Sequence, residues 1–288
     1  MATVKKLFPP AIPQQSVAED VQKVDIANVL SYDRSKVYMS DLEAALFHSF
    51  HKEVGALKVI EEGDFDHLVE YINMLHKYFP GTEKVMTYLT SLKQSLRSKR
   101  KKLNWNQWHQ ILNASKEIVP LREKYIGCLS TQPGLREFPC ALWQLFHVLV
   151  GQANGSNQCF QVLQAMRNYI TSFFACVECR THWQDATTDL SVVNNGELCS
   201  LYLWRKHNEV NRRLNGSPTE DPYFPKEQWP THHMCKRCWN ETTMNFNVTE
   251  VKKFLHLFYS SSNLSFEYMD DEENKTSLHW SPRKCDEL

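Results

Sequence analysis

FFACVECRTHW, residues 173–183, places Cys176 and Cys179 three apart inside a segment whose spacing otherwise reads as helix. Cysteines three apart near a helix start face the same side, and the partial positive charge of the helix N-terminus favours a thiolate there. That chemistry suits disulfide exchange. The same residues also fit half of a zinc site, or a pair of buried or merely bridged thiols. Nothing inside the stretch selects among the three.

A second C-x-x-C, Cys235 and Cys238, lies beyond residues 180–234. Structural four-thiolate zinc sites usually separate their pairs by about 15–20 residues, far fewer than here. All nine cysteines lie after residue 127. Asn113, Asn154, Asn215, Asn240, Asn247, Asn263 and Asn274 each begin an N-x-[ST] triplet. Cysteine placement and sequons together suggest an oxidising, glycosylating compartment, the secretory pathway or the cell exterior. The opening MATVKKLFPPAIPQQ lacks the apolar core of a signal peptide. On this reading a leader would have stood upstream, making the chain a fragment of something longer. The ending CDEL resembles an ER-retrieval tetrapeptide, with the wrong residue in first place.

Charge balances at 33 basic against 33 acidic residues, so no global field favours nucleic acid or an anionic membrane. No apolar run approaches the roughly 20 residues that span a bilayer. Only nine glycines argue against a Gly-rich phosphate loop or a many-stranded sheet. The periodicity is nearly all helical, and the expected fold class is an all-α bundle. Ser40 with Glu43 reads as a capping box ahead of LEAALFHSFHKEV. DFDHLVEYINMLHKYF carries Leu68, Val69, Ile72 and Leu75 at helical spacing and is stopped by Pro80–Gly81. Thr82 caps TEKVMTYLTSLKQSL, RSKRKK at 97–102 reads as a solvated helix end, and NWNQWHQILNA gives a fourth helix.

The second half reads as FPCALWQLFHVLVGQ, CFQVLQAMRNYITSFF, CVECRTHWQDA and ELCSLYLWRKHNEVNRRL, with the turn-rich loop NGSPTEDPYFPKEQWP after the last. From about residue 256 the Ser-, Asn- and acid-rich composition reads as poorly ordered. Trp143 and His147 share one helix face, and Trp204, His207, Asn208 and Asn211 share another. His182 lies on the face of Cys179. A stripe of Trp, His and Asn is costly to bury without hydrogen-bond partners. A planar ligand with polar edges, such as a flavin, would supply them.

In order and spacing these motifs, with EDPYFPKEQWP and the final C-x-x-C, resemble the flavin domain of the Erv/ALR sulfhydryl oxidases, most nearly the quiescin branch, over about residues 125–240. DRSKVYMSDLEAALFHSFHKEVG resembles the helical segment that precedes this domain. The resemblance implies an extended linker (1–36), a helical Erv-like unit without cysteines or flavin (37–115), an FAD-binding sulfhydryl oxidase domain (116–245) and a partly disordered tail (246–288). It implies an active disulfide Cys176–Cys179, with Cys176 attacked by substrate and Cys179 facing the flavin C4a atom. FAD contacts would fall on Arg136, Trp143, His147, Glu178, His182, the run Trp204 to Asn211 (with His207 and Asn208), Lys226 and Trp229. Structural bridges would join Cys128 to Cys140 and Cys235 to Cys238.

The implied reaction oxidises dithiols, reduces O2 to hydrogen peroxide and needs no metal. That family also carries a thioredoxin-like domain with its own C-x-x-C. With no cysteine before residue 128, small dithiols are the expected direct substrates and folded proteins poor ones. The flavin-free unit would fill the face where another copy would dimerise, which implies a monomer. Cys159 and Cys199 match no family motif and are candidates for a bridge, leaving Cys285 odd. The competing expectations are a non-catalytic helical interaction module stapled by disulfides and a zinc-stabilised helical adaptor.

Overall fold

A computed structural model describes residues 26–97, 99, 102–116, 121, 123–153, 159–194 and 199–267. The sequons at Asn154 and Asn274, Cys285, the CDEL ending and residues 1–25 of the expected linker lie outside them. The described chain is a helical bundle, as the periodicity implied. After a short helix α1 (Ile26–Leu30), strand β1 (Val37–Tyr38) runs into α2 (Met39–Phe47), which continues through a wide π-type turn (His48–Glu53). Strand β2 (Val59–Ile60) precedes α3 (Glu62–Tyr78) and α4 (Glu83–Arg97); β3 (Leu103–Asn104) leads into α5 (Trp105–Lys116). The second unit comprises α6 (Glu137–Ala153), α7 (Cys159–Phe173), α8 (Val177–Ala186), the single turn α9 (Ser191–Asn194), α10 (Cys199–Leu214) and α11 (Val248–Phe258). Strand β4 (Leu264–Ser265) pairs in parallel with β1, and β2 pairs antiparallel with β3.

The α3 and α4 stripes fold as their spacing dictates: Leu68, Ile72 and Leu75, then Val85, Leu89, Leu92 and Leu96, are buried. Each such side chain contributes about 1.5–3 kcal/mol relative to exposure. Between these helices a Cβ on Gly81 would sit 2.5 Å from the Phe79 ring, so the turn accepts glycine alone. The Thr82 hydroxyl accepts the Val85 N–H at 3.5 Å, the expected cap. The expected capping box does not form. Ser40 lies inside the first turn of α2, and its hydroxyl donates to the Lys124 carbonyl at 2.8 Å. A tertiary acceptor has displaced the local one.

The two units share one core. α2 packs along α6 and α3 along α7. Tyr71 stacks on Tyr169 at 4.0 Å, His67 Nδ1 meets Ser172 Oγ at 2.8 Å, and Asn168 Nδ2 donates to Glu70 at 2.8 Å. The expectation that order ends near residue 256 needs correction. Val251 and Leu255 of α11 are buried, Phe254 and Phe258 pack beside them, and the chain continues to β4.

Among the described residues four disulfides are closed: Cys128–Cys140, Cys159–Cys199, Cys176–Cys179 and Cys235–Cys238. The Cys159–Cys199 bridge ties the first residue of α7 to the first residue of α10. The two C-x-x-C motifs close separately, so their sulfurs are not pooled on one metal. Among the described residues no cluster of three His, Cys, Asp or Glu could hold a metal ion, and no helix is long and apolar enough to cross a membrane.

Candidate active site

Only Phe174, Ala175 and Cys176 separate α7 from α8. Cys176 is the N-cap of α8, and its Sγ accepts the Cys179 N–H at 3.2 Å. Cys176 is exposed and Cys179 half-buried. The more exposed Cys176 can meet a substrate, with Cys179 the less accessible of the two. Four residues past Cys179, and so on the same face, Trp183 is the buried residue of α8; its edge meets the Trp143 ring at 5.7 Å. Its indole N–H is buried without a protein partner.

Trp143 and His147 share the α6 face as their spacing required. The Trp143 ring stacks on His207 of α10 at 4.1 Å, nearly parallel. His147 Nε2 lies 3.3 Å from His207 Nδ1, and its other side stacks on Tyr259 at 4.6 Å. Trp229 packs against Tyr259, Phe254 and Phe258. An aromatic cradle thus forms from α6, α8, α10, the 225–230 loop and the end of α11.

The polar part of the α10 stripe is used differently from the expectation that a planar ligand would satisfy it. Trp204 Nε1 and Asn208 Nδ2 both donate to the Trp229 carbonyl, at 2.6 and 2.7 Å, and Asn208 Oδ1 accepts the Trp229 N–H at 2.7 Å. Asn211 Nδ2 donates to the Glu227 carbonyl at 2.8 Å. These residues strap the loop to α10 and thereby set Lys226 and Trp229 in place. Only His207 of the four keeps its ring for the cradle.

Arg136 donates to the Leu129 carbonyl at 3.1 Å and to Tyr32 Oη at 3.3 Å, with its guanidinium 3.7 Å from the Phe224 ring centre. Lys226 is held below the usual lysine range by burial and then by Arg136, against the pull of Glu220 and Asp221. Glu178 and His182 stand apart at the surface, 78% and 46% exposed, paired at 3.5 Å, with Arg213 3.7 Å from Glu178.

Burial first, then His207, pushes His147 well below the ordinary imidazole range; burial, then Lys226, pushes His207 to about 3. Both rings are neutral at pH 7. A lowered native pKa means that the unfolded chain binds the extra proton below about pH 6.5, so stability falls on acidification. At pH 5 each of the two neutral rings costs up to about 2 kcal/mol, because the unfolded chain takes up the proton that the native one refuses. Asp41 opposes them: burial raises it to about 6, and moving from pH 7 to 5 relieves only about 1 kcal/mol there. The histidines win. The melting temperature of the protein therefore drops between pH 7 and 5, and His147→Gln flattens that drop. An unchanged slope in the variant would remove His147 as its cause.

Comparison with known proteins gives the family. A family profile described as flavin adenine dinucleotide (FAD)-dependent sulfhydryl oxidase matches residues 33–131, and one described as the Erv1/Alr family matches residues 140–230. The solved sulfhydryl oxidase fragment of human QSOX1 superposes with a TM-score of 0.76 at 35% identity, covering 82% of this chain and 100% of that one.

The chain belongs to the Erv/ALR sulfhydryl oxidases.

Sulfhydryl oxidase 1 of Rattus norvegicus is 38% identical over 247 residues, 81% of this chain and 33% of the relative. Sulfhydryl oxidase 2 of Homo sapiens is 32% identical over 286 residues, 93% and 40%. The chain thus spans a third to two fifths of these relatives. The family is FAD-dependent, and the residues present fit that cofactor: an aromatic cradle in which Trp143 and His207 stack, an indole N–H without a protein partner, and the half-buried cation Lys226 close enough to act on His207. Sequence reasoning missed Trp183 and Tyr259. Trp183 lay at helical spacing from Cys179; Tyr259 follows a stripe of Val251, Phe254, Leu255 and Phe258 whose period could have revealed α11.

Proposed function

We propose that this chain oxidises dithiols to disulfides through Cys176–Cys179, with FAD as cofactor and O2 as final acceptor. The observation that carries the reading is the graded burial of that disulfide, exposed at Cys176 and half-buried at Cys179, at the start of the helix that feeds Trp183 into the cradle. A substrate thiolate attacks Cys176 Sγ; the S–S bond breaks and its electron pair leaves on Cys179. The α8 N-terminus stabilises the thiolates formed there. A second substrate thiolate attacks the mixed disulfide at the substrate sulfur, releasing the product disulfide and the Cys176 thiolate. When bound, FAD supplies the two-electron exchange between this dithiol and O2, with hydrogen peroxide as product.

Trp143, His147, His207 and Trp229 would orient the ring, and Arg136 and Lys226 would meet the diphosphate. Trp204, Asn208 and Asn211 would hold the loop that presents Lys226 and Trp229, and Glu178 and His182 would border the cofactor at the surface. Cys128–Cys140 and Cys235–Cys238 would be structural bridges. The domain division would follow the motifs, 37–115 a flavin-free unit and 116–245 the FAD domain, except that α11 and Tyr259, from the expected tail, join the cradle. Packing of α2 and α3 over α6 and α7 supports a monomer, because that face is covered in cis. Small dithiols are the direct substrates, and the sequons at the exposed Asn113, Asn215 and Asn240 suit a secretory setting.

The test is colour and oxygen. Purified protein reconstituted with FAD should retain the visible flavin band after desalting and consume O2 when given dithiothreitol, releasing peroxide in equal amount. A colourless protein that leaves O2 untouched would sink the proposal.

A further inference from the structure

Glu53 closes the π-type turn that follows α2, in the unit that carries no cysteine and none of the cradle. Wide turns of this kind are rare and concentrate at functional sites. Glu53 is 8% exposed, and its Oε2 accepts the backbone N–H of Ala175 at 2.5 Å, across 122 residues of sequence. Ala175 immediately precedes Cys176. Its peptide lies in the three-residue connection between α7 and α8, so its orientation sets where the Cys176 sulfur begins.

The carboxylate is itself fixed. Its other oxygen lies 3.4 Å from His48 Nε2, and His48 Nδ1 is 2.6 Å from Glu123 Oε1. Glu123 pairs with Lys52 and accepts from Tyr125 Oη at 2.9 Å. The His48 ring stacks on Phe138 of α6 at 3.8 Å, and Phe138 stacks on Phe174 of the same connection.

We propose that Glu53 is a positioning residue for the redox disulfide: its bond to the Ala175 amide holds Cys176 where an incoming thiolate can attack. The proposal rests on the reading of Cys176–Cys179 as the redox pair. It gives the flavin-free unit a part in thiol exchange as well as in packing.

Anaerobic stopped-flow mixing of FAD-loaded protein with dithiothreitol, followed at the flavin band, tests it. Glu53→Ala, and Glu53→Asp with its shorter reach, should slow the limiting rate of flavin reduction at least about tenfold, the usual scale for a hydrogen bond to a charged group. Bound FAD and the thermal transition should persist in both. Glu53→Gln, which keeps an acceptor of the same length, should restore the rate to within about threefold. Normal rates in Glu53→Ala and Glu53→Asp would overturn the proposal, as would a Glu53→Gln variant as slow as Glu53→Ala. Loss of FAD or of the thermal transition in both would make Glu53 structural and overturn it equally. Cys176→Ser separates the two readings. If it still allows flavin reduction, the redox assignment itself fails; if it blocks reduction while Glu53→Ala is normal, only the role of Glu53 fails.

Discussion

Cys176→Ser takes up no oxygen with dithiothreitol yet remains yellow. So does Cys179→Ser. The two failures have different causes, and that difference makes the prediction demanding. Without Cys176 no sulfur at the surface accepts the substrate thiolate. The remaining Cys179 is half-buried and should alkylate slowly with iodoacetamide. Without Cys179 the exposed Cys176 can be captured only in an external mixed disulfide, which has no inner thiolate to expel. That variant should alkylate quickly and accumulate adducts with oxidised glutathione. The cradle of Trp143, His147 and His207 contains neither sulfur, so the visible band should survive both changes. Colour lost together with activity would recast the pair as a structural staple.

The second large effect falls on stability. Replacing both Cys159 and Cys199 with alanine opens a loop of 40 residues, and chain-entropy scaling assigns such a cross-link about 4 kcal/mol. For a chain of this size the loss should lower the melting temperature by about 10 °C. The bridge joins the start of the helix that leads into the redox turn to the start of the helix that carries His207. Its removal should leave oxygen uptake at 25 °C nearly unchanged. Differential scanning calorimetry of the FAD-loaded double variant checks this. A melting temperature within about 2 °C of the parent would mean that the unfolded chain retains structure that already restricts this loop. Rapid activity loss at 25 °C would give the bridge a catalytic part instead.

Helix positions were legible because burial stripes at 3.6-residue spacing are a property of the segment itself. Thr82 shows this at a helix end, where the cap lies within three residues of its partner. Ser40 shows the limit: its sequence context is right for a cap, but the Lys124 carbonyl takes its proton from far along the chain. The site divides on the same line. Trp143 with His147, and Cys176 with Cys179, announce themselves by local spacing. The partners that satisfy Trp204, Asn208 and Asn211 do not, since backbone amides and carbonyls of residues 227–229 leave no mark in a residue pattern. Glu53 was invisible for a related reason. Its acceptor role needs an amide 122 residues away, and one more acidic residue in an amphipathic helix attracts no notice. Tyr259 was hidden by composition, because the polar run after it coloured the reading of the α11 stripe before it.

The β1–β4 pairing is short, only Val37 with Leu264 and Tyr38 with Ser265. Its effect on cooperativity is nevertheless wide. Through it the first strand of the N-terminal unit holds the segment that follows α11, and α11 leads into the Tyr259 ring that stacks on His147. Opening the N-terminal unit would pull on that ring, and stripping the ring would loosen the strand. Tyr259 at one end of this linkage and Glu53 at the other tie the N-terminal half to the rest of the bundle. Its melting and the opening of the cofactor cradle should be one transition, seen at one temperature by tryptophan fluorescence and by flavin release.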